Sequence, residues 1–194
     1  MIKAKNNYKE NSALSEISIF INFGKNRDGV VSIEAALIFP FMVLALLGMI
    51  DISMLLSAQR KVSAATSAVV DLSTQPTLTV NKTELNEYFS AVDSILQPYN
   101  SQDIEVELFN YRPNGGNVTL QWQHARGNCG GMPANISAEE LQKLTEEVND
   151  VLVGRVCVTF TPIVGYVLGT GSFKVDHAVA QRPRQGKTLN CTDC

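Results

Sequence analysis

Charge is scarce in this sequence, and the shortage is concentrated near the N-terminus. Charged residues make up 18% of the 194 residues, against roughly 25% in an average soluble domain. Residues 35–50 lack any charged or strongly polar side chain, and no cysteine precedes position 129. A hydrophobic content of 45% argues against a globally disordered chain. The length argues against a large multidomain enzyme.

Charge of one sign does not dominate. The 16 basic and 19 acidic residues give a net charge of −3. A protein that binds nucleic acid electrostatically needs a concentrated basic face, and no such concentration occurs in the sequence. We therefore expect no nucleic-acid partner.

The sequence motifs of common enzymes are also missing. The chain contains no Gly-x-Ser-x-Gly, no P-loop and no His-Glu-x-x-His. Cys191 and Cys194 have redox-motif spacing, but a thioredoxin-like motif lies near a βαβ unit rather than at a chain end. His124 and His177 lack paired ligand spacing, which disfavours a zinc site built from His124 and the cysteines. We expect no catalytic residue, no metal and no cofactor, and thus a protein that is not an enzyme.

The apolar segment has the length of a membrane span. The residues from Val30 to Leu56 contain two charges, Glu34 and Asp51. A helix rises about 1.5 Å per residue, so about 20 residues cross a bilayer core of about 30 Å. Basic residues precede the segment and predict a cytoplasmic N-terminus. A cleaved secretory signal has a shorter apolar run, and a core helix of a soluble protein has a polar face.

The helix is predicted to continue beyond the span. Val62, Ala65, Val69 and Leu72 recur at helical spacing in an alanine-rich segment. Pro40 removes a backbone hydrogen bond and predicts a kink or local melting. Asp51 falls near the exported interface, where we expect water to solvate it.

The residues around Glu34 resemble a known N-terminal signal. A basic leader, Gly29, four residues, Glu34 and a long apolar helix form an arrangement similar to the class III signal of type IV pilins and pseudopilins. Residues 28–40, Asp-Gly-Val-Val-Ser-Ile-Glu-Ala-Ala-Leu-Ile-Phe-Pro, most closely resemble the TadE/TadF-like minor pseudopilins of tight adherence (Flp) pilus systems. The resemblance covers about residues 25–70.

The resemblance implies a processing site and a role for Glu34. A prepilin peptidase would cut after Gly29, which makes Val30 the new N-terminus and Glu34 the fifth mature residue. The new α-amino group is a cation at neutral pH, and Glu34 of one subunit can pair with it on a neighbour. The alternative is an interfacial glutamate that lipid headgroups solvate.

The resemblance also implies a function and partners. It indicates a minor pseudopilin that takes part in tight adherence pilus assembly. The implied partners are other pilin and pseudopilin helices, the prepilin peptidase, the inner-membrane assembly platform and membrane lipid. The implied location is the inner membrane, with a single pass, a cytoplasmic N-terminus and a periplasmic C-terminal domain. A second hypothesis is an uncleaved, membrane-anchored periplasmic binding or sensor module.

Downstream of this helix, the patterns predict an α+β domain. A helix over 84–96 has Asn81 or Thr83 as its cap. Two runs of alternating residues, 104–109 and 118–123, flank a Pro-Asn-Gly-Gly turn and predict a β-hairpin. The predicted core residues of these elements are Leu85, Phe89, Val92, Leu96, Phe109 and Trp122.

A second short helix and two strands are predicted to follow. The capping box that begins at Ser137 starts the helix. Its apolar face consists of Leu141, Leu144, Val148, Val151 and Leu152. Strands are expected at about 155–161 and 172–180. The apolar connection, 162–171, is expected to be either a buried strand or an exposed interaction patch.

The predicted organisation has four parts. These are a cytoplasmic leader at 1–29, a transmembrane pilin-like helix at 30–72, an exported α+β domain at 73–181 and a polar C-terminal tail at 182–194. The exported domain is expected to contain a small antiparallel sheet and two short helices. The tail is expected to be mobile.

All four cysteines fall on the exported side of the predicted anchor. An oxidising compartment favours disulfides, and four cysteines allow three connectivities. We favour Cys129–Cys157, which ties a loop to a strand, and Cys191–Cys194, which closes the tail. The first bridge closes a loop of about 29 residues and contributes roughly 3–4 kcal/mol in the chain-entropy model.

Overall fold

The computed structural model describes residues 28–76, 79–114, 117–132, 136–145, 149–169, 171–184 and 188–194. The predicted leader lies outside these ranges except for its last two residues. The chain divides into two units, Met1–Gly48 and Met49–Cys194. A long apolar N-terminal helix is followed by an antiparallel four-stranded sheet and short helices, so the predicted α+β fold class is confirmed.

Helix α1, Asp28–Thr74, begins in the first unit and ends in the second. Pro40 lies inside it without ending it. No side chain described over 31–48 is buried. The most apolar 18-residue stretch of the helix has a mean hydropathy of 2.3 and contains no buried residue. By length and composition, α1 can cross a membrane, whereas the core helix of a soluble protein would be mostly buried.

From Ala58 onward, α1 belongs to the core of the second unit. Ala58, Val62, Ala65 and Val69 are all buried. Residues three and four apart share one face of a helix. The predicted apolar stripe in this part of α1 is therefore confirmed.

The second unit contains the sheet and the short helices. After α1, the chain forms β1 (Thr79–Val80), α2 (Lys82–Ile95), β2 (Ile104–Asn114), β3 (Asn117–Arg126), α3 (Ala138–Thr145), β4 (Val151–Phe160), α4 (Ile163–Leu168), β5 (Phe173–Gln181) and β6 (Asn190–Cys191). The four long strands form an antiparallel sheet in the order β3-β2-β4-β5. Strand β1 pairs with β6 in parallel.

Helix α2 begins with a capping box. The side chain of Asn81 accepts a hydrogen bond from the backbone N–H of Glu84 at 2.9 Å, and the Glu84 carboxylate accepts one from the Asn81 N–H at 3.2 Å. This arrangement satisfies two N–H groups that the first helical turn leaves unpaired. Asn81, rather than Thr83, is therefore the cap.

Strands β2 and β3 form the predicted hairpin, with Asn114 opposite Asn117 beside the turn. The sheet packs on two apolar clusters, because successive side chains of a strand point to opposite faces. Trp122 belongs to the cluster that contains side chains of α1 and α2. Phe109 belongs to the other cluster, together with Leu141 of α3. Both aromatic residues are buried, so their predicted core positions are confirmed.

Helix α3 is shorter than the sequence predicts. Ser137 Oγ accepts from the Glu140 N–H at 3.1 Å, which confirms the capping box. The described helix ends at Thr145, and Val151 and Leu152 lie in β4. The prediction that these two residues continue the helical face is therefore wrong. A continuous buried apolar run fits a central strand as well as a helix. Val148 lies outside the described residues.

The connection between β4 and β5 contains a helix rather than a buried strand. Pro162 precedes α4, and Gly169 follows it with φ 70°, the left-handed conformation that commonly ends a helix. This short helix adds to the two that were predicted. It leaves Tyr166 exposed.

The C-terminal segment packs on the domain at Leu189, and the mobility of the tail stays a prediction. Leu189 is fully buried. Its carbonyl oxygen accepts hydrogen bonds from Asn110 Nδ2 and Trp122 Nε1, both at 2.9 Å. Leu189 is therefore attached to the core both by its buried side chain and by its backbone carbonyl.

Gly154 of β4 allows α1 to lie close to the sheet. A Cβ at this position would clash with the side chain of Val70 and lie 3.1 Å from Leu108. We expect Gly154→Ala to lower the free energy of unfolding by about 1–3 kcal/mol, the usual cost of overpacking. Denaturant unfolding of the detergent-solubilised chain measures this. Gly48→Ala, where nothing lies within 4 Å, is the control. An equal effect of both substitutions would contradict the explanation.

Candidate functional site

Glu34 is an ionisable residue within an apolar, exposed part of α1. No other ionisable residue occurs between Asp28 and Asp51. The Glu34 side chain is exposed. Within the described ranges, no hydrogen bond or ion pair reaches its carboxylate. A carboxylate at membrane depth is costly unless it is paired or near water. No group in these ranges compensates the charge of Glu34.

The predicted cleavage site lies at the beginning of α1. Gly29 and Val30 are the second and third residues of the helix. Val30 and Glu34 are four residues apart and thus lie on one face, about one turn from each other. Side chains of a helix tilt toward its N-terminus. The Cα–Cβ bond of Glu34 therefore leans toward the N-terminal end of α1.

Asp51 is buried, which corrects the prediction that water solvates it. Its side chain is 8% exposed. The two carboxylate oxygens accept hydrogen bonds from the backbone N–H groups of Ile163 and Val164, each at 2.8 Å. These N–H groups belong to the first turn of α4, where helices have unpaired donors and the positive end of the dipole. Asp51 therefore caps α4 from another helix.

Sequence reasoning missed this contact because the partners are far apart in the chain. The residue at the N-terminus of α4 is Pro162, which provides no capping side chain. Two features of the sequence could have indicated the contact. One is a helix that starts without a local cap, and the other is an acid in an apolar helix. They indicate that a partner is needed but do not identify that partner.

Asp150 is another buried carboxylate, and it organises the C-terminal segment. Arg112 donates to it from Nε at 2.7 Å and Nη2 at 2.8 Å. Asn110 Nδ2 donates at 3.0 Å and the Leu189 N–H at 2.8 Å. Burial alone would raise the pKa of Asp150. The hydrogen bonds from Arg112, Asn110 and Leu189, together with the charge of Arg112, outweigh burial and lower this pKa.

The structure brings together the cysteine pairs that the sequence favoured. Cys129 pairs with Cys157 across a Cα–Cα distance of 5.9 Å, and Cys191 pairs with Cys194 across 5.5 Å. Glu105 lies beside the first pair, and an acid lies beside the second. Disulfide sulfurs offer no thiolate, and thiolate is the form that binds metals. In the oxidised protein, neither group has a cysteine ligand for a metal.

His124 has a packing role. Its ring stacks on Phe89 at 5.3 Å between centroids, and its Nε2 lies 2.9 Å from Asn86 Oδ1. Burial, followed by the charge of Lys82, lowers the pKa of His124, and the charge of Asp193 opposes them. The half-buried ring of His124 on β3 packs against Phe89 of α2 and so joins the two elements. The groups of metal-ligating side chains found in the described ranges do not include His124.

Comparison with known proteins identifies the N-terminal part of the chain. The family model described as TadE-like protein matches residues 29–71, which is 43 of the 194 residues. The match includes Gly29, Glu34 and most of α1. Neither a curated protein nor a solved structure gave a significant match. The resemblance noted in the sequence is confirmed, because residues 29–71 match the TadE-like family model.

Proposed function

We propose that this protein is a minor pseudopilin that takes part in tight adherence pilus assembly and is anchored in the inner membrane by α1. The TadE-like match over 29–71 supports a role in this pilus, and the apolar helix suggests membrane anchoring. In this proposal the N-terminus is cytoplasmic and the C-terminal domain is periplasmic. The protein acts as a structural component rather than as an enzyme.

A contrast between the two acids of the apolar segment carries the proposal. Asp51 is buried, and two N–H groups of its own chain satisfy it. Glu34 is exposed and has no partner in the ranges that the structure describes. A helix that serves only as an anchor gains nothing from an unpaired carboxylate in its apolar part. A helix that packs against other subunits gains a specific ion-pair partner.

We infer that the partner of Glu34 is an α-amino group of a neighbouring subunit. Cleavage after Gly29 would create this group at Val30, and it would be a cation at neutral pH. An ion pair inside a helical bundle offsets the desolvation of both charges and sets the register between subunits. The exposed apolar face of α1 over 31–46 provides the surface for lipid and for other pilin helices.

Processing would also change the charge of the protein. The leader at 1–29 contains 5 basic and 3 acidic residues, so the mature chain would retain 11 basic and 16 acidic residues and carry a net charge of −5. The prepilin peptidase is the proposed partner in cleavage of the leader. The inner-membrane assembly platform is the proposed partner in pilus assembly. The two disulfide pairs suit an oxidising periplasm.

Glu34→Ala is expected to impair pilus assembly without preventing membrane insertion. Removing the carboxylate removes the ion pair but makes the helix more apolar, so insertion should be unchanged or easier. Electron microscopy of cells expressing the variant at the native level measures piliation, and membrane fractionation measures insertion. Glu34→Gln, which keeps the shape and loses the charge, should behave like the alanine variant.

Ser32→Ala is the matched control, since this exposed residue lies in the same part of α1 and carries no charge. It should leave piliation unchanged. Normal piliation of the Glu34→Ala strain would remove the role proposed for Glu34.

N-terminal mass spectrometry of the membrane-extracted protein tests the processing step. A chain that starts at Val30 supports the pseudopilin. A chain that starts at Met1, together with normal piliation after deletion of the gene, would favour the uncleaved periplasmic module.

A further inference from the structure

A second stretch without charge lies in the exported domain. From Phe160 to Phe173 the sole ionisable side chain is the phenol of Tyr166. Helix α4 lies within this stretch and has the sequence Ile-Val-Gly-Tyr-Val-Leu. A helix at a water-facing surface normally has a polar face. The sequence of α4 has none.

Apolar side chains of this stretch are exposed. Tyr166 is 81% exposed, and Ile163 and Phe173 are exposed as well. Single apolar residues on a surface are ordinary, but a cluster that includes aromatic rings indicates a contact surface. The phenol of Tyr166 has a polar end and an apolar ring, which suits a boundary between water and an apolar phase.

The hydrogen bonds to Asp51 fix the position of α4 along the length of α1. Both carboxylate oxygens of Asp51 are bonded to N–H groups of α4. The neighbouring α1 residues that expose apolar side chains are Met49, Ile50, Ile52, Met54 and Leu56. The α1 residues on both sides of the Asp51 contact with α4 therefore expose apolar side chains, as α4 itself does. A span of about 20 residues that starts near Val31 would end near Asp51, where hydrocarbon gives way to headgroups.

We propose that α4 lies in the headgroup region of the lipid bilayer, with Tyr166 as an interfacial anchor of the exported domain. Tyrosine and tryptophan are enriched at this depth because their rings are amphipathic. The hydrogen bonds to Asp51 satisfy a carboxylate that would otherwise face lipid and keep α4 at the membrane surface. The inference rests on the membrane-anchoring part of the proposed function and is independent of pilus assembly.

Tyr166→Trp in the full chain tests the proposal. The variant is reconstituted into phosphatidylethanolamine and phosphatidylglycerol vesicles, with and without a brominated phospholipid that quenches nearby indole rings. We expect the bromolipid to cause a greater loss of emission than in the wild-type chain. Trp122 is the one native tryptophan and is buried, so it provides a constant background.

Leu120→Trp is the matched control. Leu120 is 46% exposed and lies opposite Tyr111, which in turn lies opposite Val151, the first residue of β4. Helix α4 follows the other end of β4, so this control lies at the far end of the sheet. The bromolipid should not quench it, whereas acrylamide in the water should.

Phe39→Trp, on the exposed apolar part of α1, reports the membrane anchor itself. Quenching by bromolipid at position 39 but not at 166 would overturn the inference and leave the anchor intact. An absence of quenching at both positions would contradict the anchor and the inference together. Protection of position 166 from both bromolipid and acrylamide would show that a protein covers α4, which also overturns the proposal.

Asp51→Ala in the Tyr166→Trp chain should reduce quenching by the bromolipid, because α4 loses its cap.

Discussion

Asp150→Ala is expected to lower the free energy of unfolding by about 3–5 kcal/mol, the usual cost of removing one partner from a buried ion pair. Asp150 is fully buried, and its removal leaves the Leu189 N–H without its acceptor and Asn110 Nδ2 with the Leu189 carbonyl alone. The side chain of Arg112 is 30% exposed, so water will solvate it in part and the lower half of the range is favoured. Denaturant unfolding of the detergent-solubilised chain, followed by Trp122 fluorescence, measures the loss.

The lowered pKa of Asp150 also predicts that the free energy of unfolding falls at acid pH. The pKa of Asp150 is lowered in the folded state, so the folded protein binds its proton less tightly than the unfolded chain. The stabilisation is complete well above the ordinary aspartate pKa of about 3.9. It is lost progressively as the pH falls through that value toward the lower folded-state pKa. Asp150→Ala should therefore show a smaller loss of stability over this acid range than the wild-type protein.

Asp103→Ala is the control, since Asp103 is exposed and a surface substitution usually changes stability by less than about 0.5 kcal/mol. A similar small effect for Asp150→Ala would contradict the role given to the buried network.

Removal of the Cys129–Cys157 bridge by a double substitution to alanine is expected to cost about 3–4 kcal/mol. The bridge restricts a long loop in the unfolded chain, and both cysteines are buried. The double substitution avoids a free thiol, which would confuse the comparison by forming other disulfides. Unfolding under oxidising conditions measures the effect, and a reducing agent, which opens both bridges, should destabilise the wild-type protein by more than the double substitution does.

The Cys191–Cys194 bridge provides the comparison. It closes a loop with a sequence separation of 3, and its removal should cost about 2 kcal/mol in the same model. Equal losses for the two double variants would show that chain entropy does not explain the stabilisation. Unchanged stability after loss of Cys129 and Cys157 would contradict the proposed importance of the first bridge.

The predictions that the structure confirms come from local patterns. The spacing of Val62, Ala65 and Val69 places one face of α1 in the core, because helical periodicity determines which side chains share a face. The cap at Asn81 and the hairpin between β2 and β3 depend on residues a few positions apart. The role of Glu34 stays a prediction, and it too comes from a local pattern, a single acid in an apolar run.

The predictions that failed concern segments whose local pattern is ambiguous. Val151 and Leu152 belong to an apolar run that fits either a helix face or a central strand. Pairing of β4 with β2 and β5 on both sides selects the strand. The charge-free connection after β4 forms α4, and no local side chain caps this helix.

By itself, the sequence determined a long apolar helix with one acid near its start, a capped second helix, a β-hairpin and cysteines confined to the part of the chain that follows the long helix. Only the tertiary structure decided what satisfies the buried acids. Asp51 and the N–H of Ile163 are separated by 112 positions, and Asp150 and the N–H of Leu189 by 39. A buried carboxylate must find hydrogen-bond donors, but which donors are within reach depends on how the chain folds. The sequence therefore shows that Asp51 and Asp150 need partners, and the fold determines which groups these partners are.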